Sequence, residues 1–174
     1  MDIEKIRKSI RVIKNFPKDG INFMDITTFL NDGKLLGDLI DHLFDRYKDM
    51  DIDYVAGIDS RGFIFGTPLA IRLGVGFVPI RKVGKLPSKT YKVTYDLEYG
   101  TDTLELHTDA FHNKSANILL VDDLLATGGT AEAALKLIKM SGSNVIESLF
   151  IINLKFLNGE KKLDSKIYSV LEEN

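Results

Sequence analysis

The stretch from Ile118 to Thr130 reads ILLVDDLLATGGT, and it constrains the fold of this chain more than any other segment. The run Asn117-Ile118-Leu119-Leu120-Val121 predicts a strand buried on both faces. It leads directly into two adjacent carboxylates, Asp122 and Asp123. A turn containing Thr127, Gly128, Gly129 and Thr130 follows. Ala131 to Met140, with Ala134 and Ile138 at helical spacing, then predicts a helix. In parallel sheets, ligands bind beyond the carboxyl ends of strands, which is where this turn falls. Its glycines let backbone amides come close to a ligand. The unpaired amides and positive end of the next helix suit a phosphate. The threonine hydroxyls add two donors. A carboxylate pair would repel a phosphate it faced, so the acids make better sense on neutral sugar hydroxyls one group away. The local chemistry reads as a sugar phosphate. The competing reading is that Asp, Thr and Gly only cap the turn and helix.

Other segments place this unit in a sheet. Tyr54 to Ile58 predicts a short buried strand that stops at Asp59-Ser60-Arg61-Gly62. A helix from about Phe63 to Leu73 follows, with Pro68 expected near its first turn. Gly74 to Ile80 predicts the next strand, leading into the basic turn Arg81-Lys82-Val83-Gly84-Lys85-Leu86-Pro87. Residues 90–107 alternate polar with apolar or aromatic side chains around Tyr99-Gly100, which predicts an antiparallel arm. Val145 to Leu154 and Ile167 to Leu171 predict two more strands. At the front, Ile3, Ile6, Ile10 and Ile13 recur at helical spacing and predict one surface helix ending before Phe16-Pro17. Residues 18–28 read as irregular. Asn31 or Asp32 is placed to cap a helix whose apolar face is Leu35, Leu36, Leu39, Ile40, Leu43, Phe44 and Tyr47. Strands alternating with helices give an α/β class, an open and mostly parallel sheet flanked by helices, in a single domain over residues 1–174.

Composition removes several functions. With 23 basic and 25 acidic residues the net charge is −2, so no basic nucleic-acid footprint is visible. The absence of cysteine excludes a disulfide scaffold, a thiol nucleophile and a cysteine zinc site. His42, His107 and His112 are dispersed and form no metal-ligand spacing. No run approaches the roughly 18 apolar residues of a membrane span, and MDIEKIRKSI lacks the apolar core of a signal peptide. A soluble cytoplasmic protein is expected. The triphosphate-loop pattern GxxxxGK[ST] is absent, and no GxGxxG stands between a strand and a helix.

Val121-Asp122-Asp123-Leu124-Leu125-Ala126-Thr127-Gly128-Gly129-Thr130 resembles the phosphoribosyl-pyrophosphate signature of the type I phosphoribosyltransferases. Three further blocks narrow the resemblance to the adenine phosphoribosyltransferases. They are Phe16-Pro17 with Gly20-Ile21, Phe23 and Asp25-Ile26-Thr27; Asp59-Ser60-Arg61-Gly62-Phe63; and Arg81 to Pro87 with Leu97-Glu98-Tyr99-Gly100-Thr101. The resemblance implies the type I fold, with a small N-terminal hood over about residues 1–30 and a flexible flap over about 82–101. It implies a pentosyl transfer in purine salvage: adenine plus 5-phosphoribosyl 1-pyrophosphate gives AMP plus pyrophosphate, with Mg²⁺ carried mainly by substrate rather than by dedicated protein ligands.

The same resemblance assigns residues. Ala126, Thr127, Gly128, Gly129 and Thr130 match the 5′-phosphate loop, and Asp122 and Asp123 match the ribose contacts. Asp59, Ser60 and Arg61 match the pyrophosphate turn, often built on a cis peptide between the first two. Arg81, Lys82 and Lys85 match a second cationic cluster for pyrophosphate. Arg81 and Lys85 act across the interface of a homodimer in the family. Glu98 matches a flap glutamate acting on the purine, so Glu98, Arg61, Lys85 and Asp123 form the expected catalytic set. Ile21, Phe23 and Met24 map to the adenine pocket. The family commonly carries arginine where this chain has Met24, and proline where it has Asp19. Two alternatives stand beside this reading. One is a 6-oxopurine phosphoribosyltransferase, suggested by Lys155-Phe156; the other is a non-catalytic regulator that keeps the sugar-pyrophosphate site.

Overall fold

The computed structural model describes residues 1–16, 18–20, 22–96 and 100–174. The chain forms two compact units, Met1–Arg46 and Tyr47–Asn174.

The first unit contains α1 (Ile3–Ser9), β1 (Arg11–Lys14), β2 (Asn22–Asp25), α2 (Thr27–Leu30) and most of α3 (Gly33–Tyr47). The isoleucine period predicts a helix up to Phe16, but α1 stops at Ser9 and Ile10 is extended. Residues Arg11 to Lys14 instead pair antiparallel with β2, Arg11 opposite Asp25 and Lys14 opposite Asn22. The Thr28 hydroxyl fixes the changeover. It donates to the Ser9 carbonyl at 2.6 Å and accepts from the Arg11 amide at 3.1 Å. Strand pairing thus overrides a helical period that had only four residues to act on. The segment read as irregular, 18–28, holds β2 and the start of α2. Asp32 caps α3 as expected, accepting from the Leu35 amide at 2.9 Å. Leu35, Leu39, Ile40 and Leu43 are buried along the predicted stripe.

The second unit is a seven-stranded sheet. Its elements are β3 (Tyr54–Ile58), α4 (Arg61–Leu73), β4 (Gly76–Lys82), β5 (Thr90–Asp96), β6 (Thr101–His107), β7 (Asn117–Leu125), α5 (Gly129–Met140), β8 (Asn144–Leu154) and β9 (Lys166–Glu173). The strand order is β5-β6-β4-β3-β7-β8-β9. The run β4-β3-β7-β8-β9 is parallel, and β6 and β5 extend it as an antiparallel edge. This is the open, mostly parallel α/β sheet that the alternation of elements predicts. Period-two alternation sorts the faces. Ala56, Ile58, Ile118 and Leu120 pack with Ala133, Ala134, Leu137 and Ile138 of α5. On the other face the Phe77 ring fills the space beside Gly57 and Gly66, so α4 lies close to the strands. Among the described residues, no helix is long and apolar enough to cross a membrane.

Three boundaries depart from the sequence reading. β7 continues past the apolar run through Asp122 and Asp123, because Phe150 and Ile152 of β8 keep pairing opposite Asp122 and Leu124. β4 begins at Gly76 and includes Arg81 and Lys82, which pair with Glu105 and Leu104 of β6. Gly74, with φ 71°, terminates α4 instead. Finally, α4 opens at Arg61, so Pro68 stands inside it rather than near its start. Pro68 has no amide to donate to the Ile64 carbonyl four residues before it, and Ile64 lies on an exposed part of the helix.

Candidate active site

The carboxyl ends of β3 and β7 open into a cleft of about 460 Å³, walled further by Lys82, Tyr95 and Asp102 from β4, β5 and β6. β3 leads into Asp59 and Ser60, joined by a cis peptide bond. The Asp59 amide donates to the Ile80 carbonyl at 2.8 Å, so the turn remains tied to β4. Arg81 Nε donates to Asp59 Oδ2 at 3.1 Å, with its guanidinium 6.0 Å from the centre of the Phe63 ring.

Arg61 opens α4 and reaches across to β7. Its Nε lies 2.6 Å from Asp123 Oδ2. Gly62 allows this approach: a β-carbon there would stand 2.5 Å from the Val121 carbonyl oxygen and 3.3 Å from Asp122 Oδ1. Of the two carboxylates, Asp123 is buried and holds the arginine. Asp122 Oδ1 accepts from the Asp123 amide at 2.9 Å. Burial, and then the negative charge of Asp123, push the Asp122 carboxyl well above the ordinary carboxylate range.

After β7 the chain turns through Ala126 and Thr127 to Gly128, whose φ of 83° suits glycine. No side chain caps the start of α5. Its first amides therefore face the cleft with the helix dipole behind them, an arrangement that attracts anions. On the cleft wall formed by β4 and β6, Lys82 Nζ pairs with Asp102 Oδ2 at 3.1 Å. The hydrogen bond to Asp102 raises the Lys82 ammonium above its usual value, keeping it charged. Burial raises the Tyr95 phenol, and its hydroxyl stands 3.5 Å from Asp102 Oδ2.

The basic turn after β4 is held from below by Glu105. This buried carboxylate accepts from the amides of Lys85 at 3.0 Å and Leu86 at 2.9 Å. Burial opposes its ionisation, but the Leu86 and Lys85 amides and the Lys92 charge outweigh that and lower its pKa.

The cleft thus brings together Asp59, Ser60, Arg61, Lys82, Asp122, Asp123 and the loop from Ala126 to Thr130. Arg81 joins through Asp59. Lys85 sits on the Glu105-anchored turn and is not part of the cleft lining. Phe23 and Met24 lie half-buried on β2 of the first unit, where the Phe23 ring meets Phe16 edge-on at 5.3 Å. Ile21 and Glu98 lie outside the described residues. Lys155 is committed to Glu160 at 2.6 Å, and Phe156 is exposed, so this pair does not line the cleft. Sequence reasoning missed Tyr95 and Asp102. The alternation Tyr91, Val93, Tyr95 marks one face of β5, but the partner of that face is visible only once α5 is seen to pack there. No group of three metal-ligating side chains occurs among the described residues.

The model of the phosphoribosyl transferase domain family matches residues 27–174, which include the acidic end of β7 and the glycine turn after it. Adenine phosphoribosyltransferase of Sulfurimonas denitrificans is 56% identical over 170 residues, covering 96% of this chain and 93% of that protein. The crystal structure of adenine phosphoribosyltransferase from Thermoanaerobacter pseudethanolicus superimposes with a TM-score of 0.94 at 47% identity, over 99% of this chain and 100% of that one. The Saccharomyces cerevisiae enzyme, solved with adenine and an imino-altritol bisphosphate, gives 0.92 at 40% identity, covering 97% of this chain and 98% of its own. The chain belongs to the adenine phosphoribosyltransferase family.

Proposed function

We propose that this chain transfers the 5-phosphoribosyl group from 5-phosphoribosyl 1-pyrophosphate to adenine, forming AMP and pyrophosphate in purine salvage. The observation that carries the reading is the Arg61–Asp123 pair set beside the uncapped start of α5. One cleft then offers a phosphate seat, carboxylates for sugar hydroxyls and cations for a departing pyrophosphate.

The amides and hydroxyls of Ala126 to Thr130 hold the 5′-phosphate. Asp122 and Asp123 accept from the ribose hydroxyls. As the glycosidic C–O bond breaks, negative charge grows on pyrophosphate, and Arg61 and Lys82 stabilise it where it develops. Arg81, held on Asp59, reaches pyrophosphate in the partner's site across a homodimer interface. Lys85 reaches pyrophosphate in the same way. Glu98 acts on the purine from the flap, which spans about residues 82–101. Ile21, Phe23 and Met24 take the adenine. The donor set suits Mg²⁺ carried on substrate, since that ion keeps several waters and needs only one or two carboxylates besides phosphate oxygens. When bound, Mg²⁺ neutralises charge on the pyrophosphate. The enzyme is assigned to the cytoplasm.

The test is a panel of adenine, hypoxanthine, guanine, xanthine and uracil, each with 5-phosphoribosyl 1-pyrophosphate and Mg²⁺, read by nucleotide formation. AMP formation with negligible turnover of the others is expected. Turnover of hypoxanthine or guanine in place of adenine would move the chain to the 6-oxopurine class. Donor binding without any nucleotide would make it a regulator.

A further inference from the structure

Behind the phosphate loop lies a turn that the reaction does not require by its chemistry. Gly159 is buried, in a short 3-10 segment from Gly159 to Lys162 that follows Asn158, itself left-handed at φ 54°. Its backbone rests directly on the backbone of the loop. A β-carbon on Gly159 would stand 2.2 Å from the Ala126 carbonyl oxygen and 2.9 Å from the Gly128 nitrogen. A β-carbon on Gly128 would stand 2.4 Å from the Gly159 carbonyl oxygen. The two glycines allow a contact that any side chain on either partner would break.

The turn is itself locked. Glu160 Oε1 accepts from Asn153 Nδ2 and from Lys155 Nζ, each at 2.6 Å. Asn153 is fully buried on β8, and Lys155 also lies 3.7 Å from Glu172 at the end of β9. The Lys155 ammonium and Asn153 amide hold the Glu160 carboxyl below its ordinary value, with burial opposing them less strongly than Lys155 favours it. Leu163 closes the turn and packs against Leu125, Ala131 and Phe150. Leu125 and Ala131 bracket the loop from either side, so the same turn touches the loop's middle through Gly159 and its two ends through Leu163.

We propose that Gly159 and Glu160 are positioning residues: the Glu160–Lys155–Asn153 lock seats Gly159 against Ala126 and Gly128 and thereby sets the aim of the amides that receive the 5′-phosphate. The lock makes Lys155 an indirect part of the sugar-phosphate site and leaves it no part in reading the base. The inference rests on the assignment of the 5′-phosphate to Ala126–Thr130 made above. Placing a methyl group on Gly159 requires ~0.8 Å of movement to bring 2.2 Å to the 3.0 Å that real β-carbons keep. A misplacement of about 1 Å costs up to about 100-fold in rate or binding.

The experiment compares Glu160→Ala, Glu160→Gln and Gly159→Ala with wild type, below their unfolding temperatures. It measures kcat, KM for 5-phosphoribosyl 1-pyrophosphate, KM for adenine, and the calorimetric Kd of ribose 5-phosphate. Glu160→Ala is expected to raise the donor KM and the ribose 5-phosphate Kd about tenfold, with adenine KM within about twofold. Glu160→Gln, which keeps an acceptor for Lys155, recovers most of that loss. Gly159→Ala is the more severe change, and if it fails to fold the Glu160 pair still decides. An unchanged donor KM in Glu160→Ala, or an equal rise in both KM values, overturns the proposal. Thr127→Val separates it from the underlying assignment. If Thr127→Val weakens ribose 5-phosphate and Glu160→Ala does not, the lock has no positioning role and the loop assignment stands. If neither variant weakens it, the phosphate assignment itself fails and the proposal with it.

Discussion

Asp123→Asn keeps the side chain's shape and removes one charge from the centre of the cleft. The Arg61 guanidinium, at 2.6 Å, is left without its carboxylate, but it is 45% exposed and regains water. The stability cost therefore falls between an exposed pair, about 0–1 kcal/mol, and a broken buried one, about 3–5 kcal/mol, near the lower end at about 1–2 kcal/mol. Turnover loses more. A hydrogen bond to a charged group contributes about 1.5–3 kcal/mol, so losing the one that Asp123 is proposed to accept from a ribose hydroxyl is expected to lower kcat/KM for the sugar donor about 10- to 150-fold. A second signature is specific to the pair. The Asp123 charge is one of the two main causes holding the Asp122 carboxyl high, after burial. Removing it lets Asp122 ionise at lower pH, so the acid limb of the kcat/KM profile moves down. The assay is initial-rate AMP formation at varied donor concentration across pH, with urea unfolding alongside. A donor kcat/KM within about twofold of wild type, or an acid limb that moves up, would refute the assignment of this pair.

Other perturbations give equally definite expectations. Gly62→Ala drives a methyl group into the Val121 carbonyl at 2.5 Å, and overpacking of this kind costs about 1–3 kcal/mol in a denaturant titration, with reduced turnover because Arg61 shifts with the helix start. Arg81→Ala is expected to abolish most turnover while shifting the thermal midpoint little; full activity would remove Arg81 from the site. Glu105→Ala leaves the Lys85 and Leu86 amides without their acceptor and costs about 1–3 kcal/mol by urea unfolding, whereas the solvent-facing change Lys89→Ala leaves stability unchanged. Asp25 is held at about 2, against an ordinary 3.8, by the Thr27 hydroxyl, then Arg11 and the Thr27 amide. A lowered folded pKa stabilises above 3.8 and the gain is lost as pH falls from there through about 2. Asp25→Asn should therefore destabilise at neutral pH and converge on wild type near the bottom of that window, as followed by circular dichroism.

The second unit is the more legible part of the sequence because its central strands β3 and β7 are buried on both faces. Ile118 to Val121 and Tyr54 to Ile58 carry no polar residue that a helix or loop would have to explain. The acidic end of β7 and the glycine turn are local in sequence, so their chemistry can be read without a fold. The strand boundaries are less legible, since Asp122 to Leu125 remain in the sheet only because β8 continues opposite them. The first unit misleads because Ile10 and Ile13 fit a helical period and a strand equally well, and Thr28, seventeen residues on from Arg11, decides between them. Tyr95, Asp102 and Gly159 join the cleft or its support from distant strands and turns, and no pattern within their own segments announces that.

The order β4-β3-β7 has a metric consequence. Parallel neighbours stand about 4.8 Å apart, so the cationic end of β4, the Asp59–Ser60 turn and the acidic end of β7 occupy successive graduations of one scale, spanning about 10 Å. A donor bound across these ends would be measured by hydrogen-bonded backbone rather than by side-chain length. Side chains at the graduations can vary while the spacing stays fixed. Slipping β7 by one residue against β3 would spare the spacing but exchange the directions of Asp122 and Asp123, turning the carboxylate that holds Arg61 away from it.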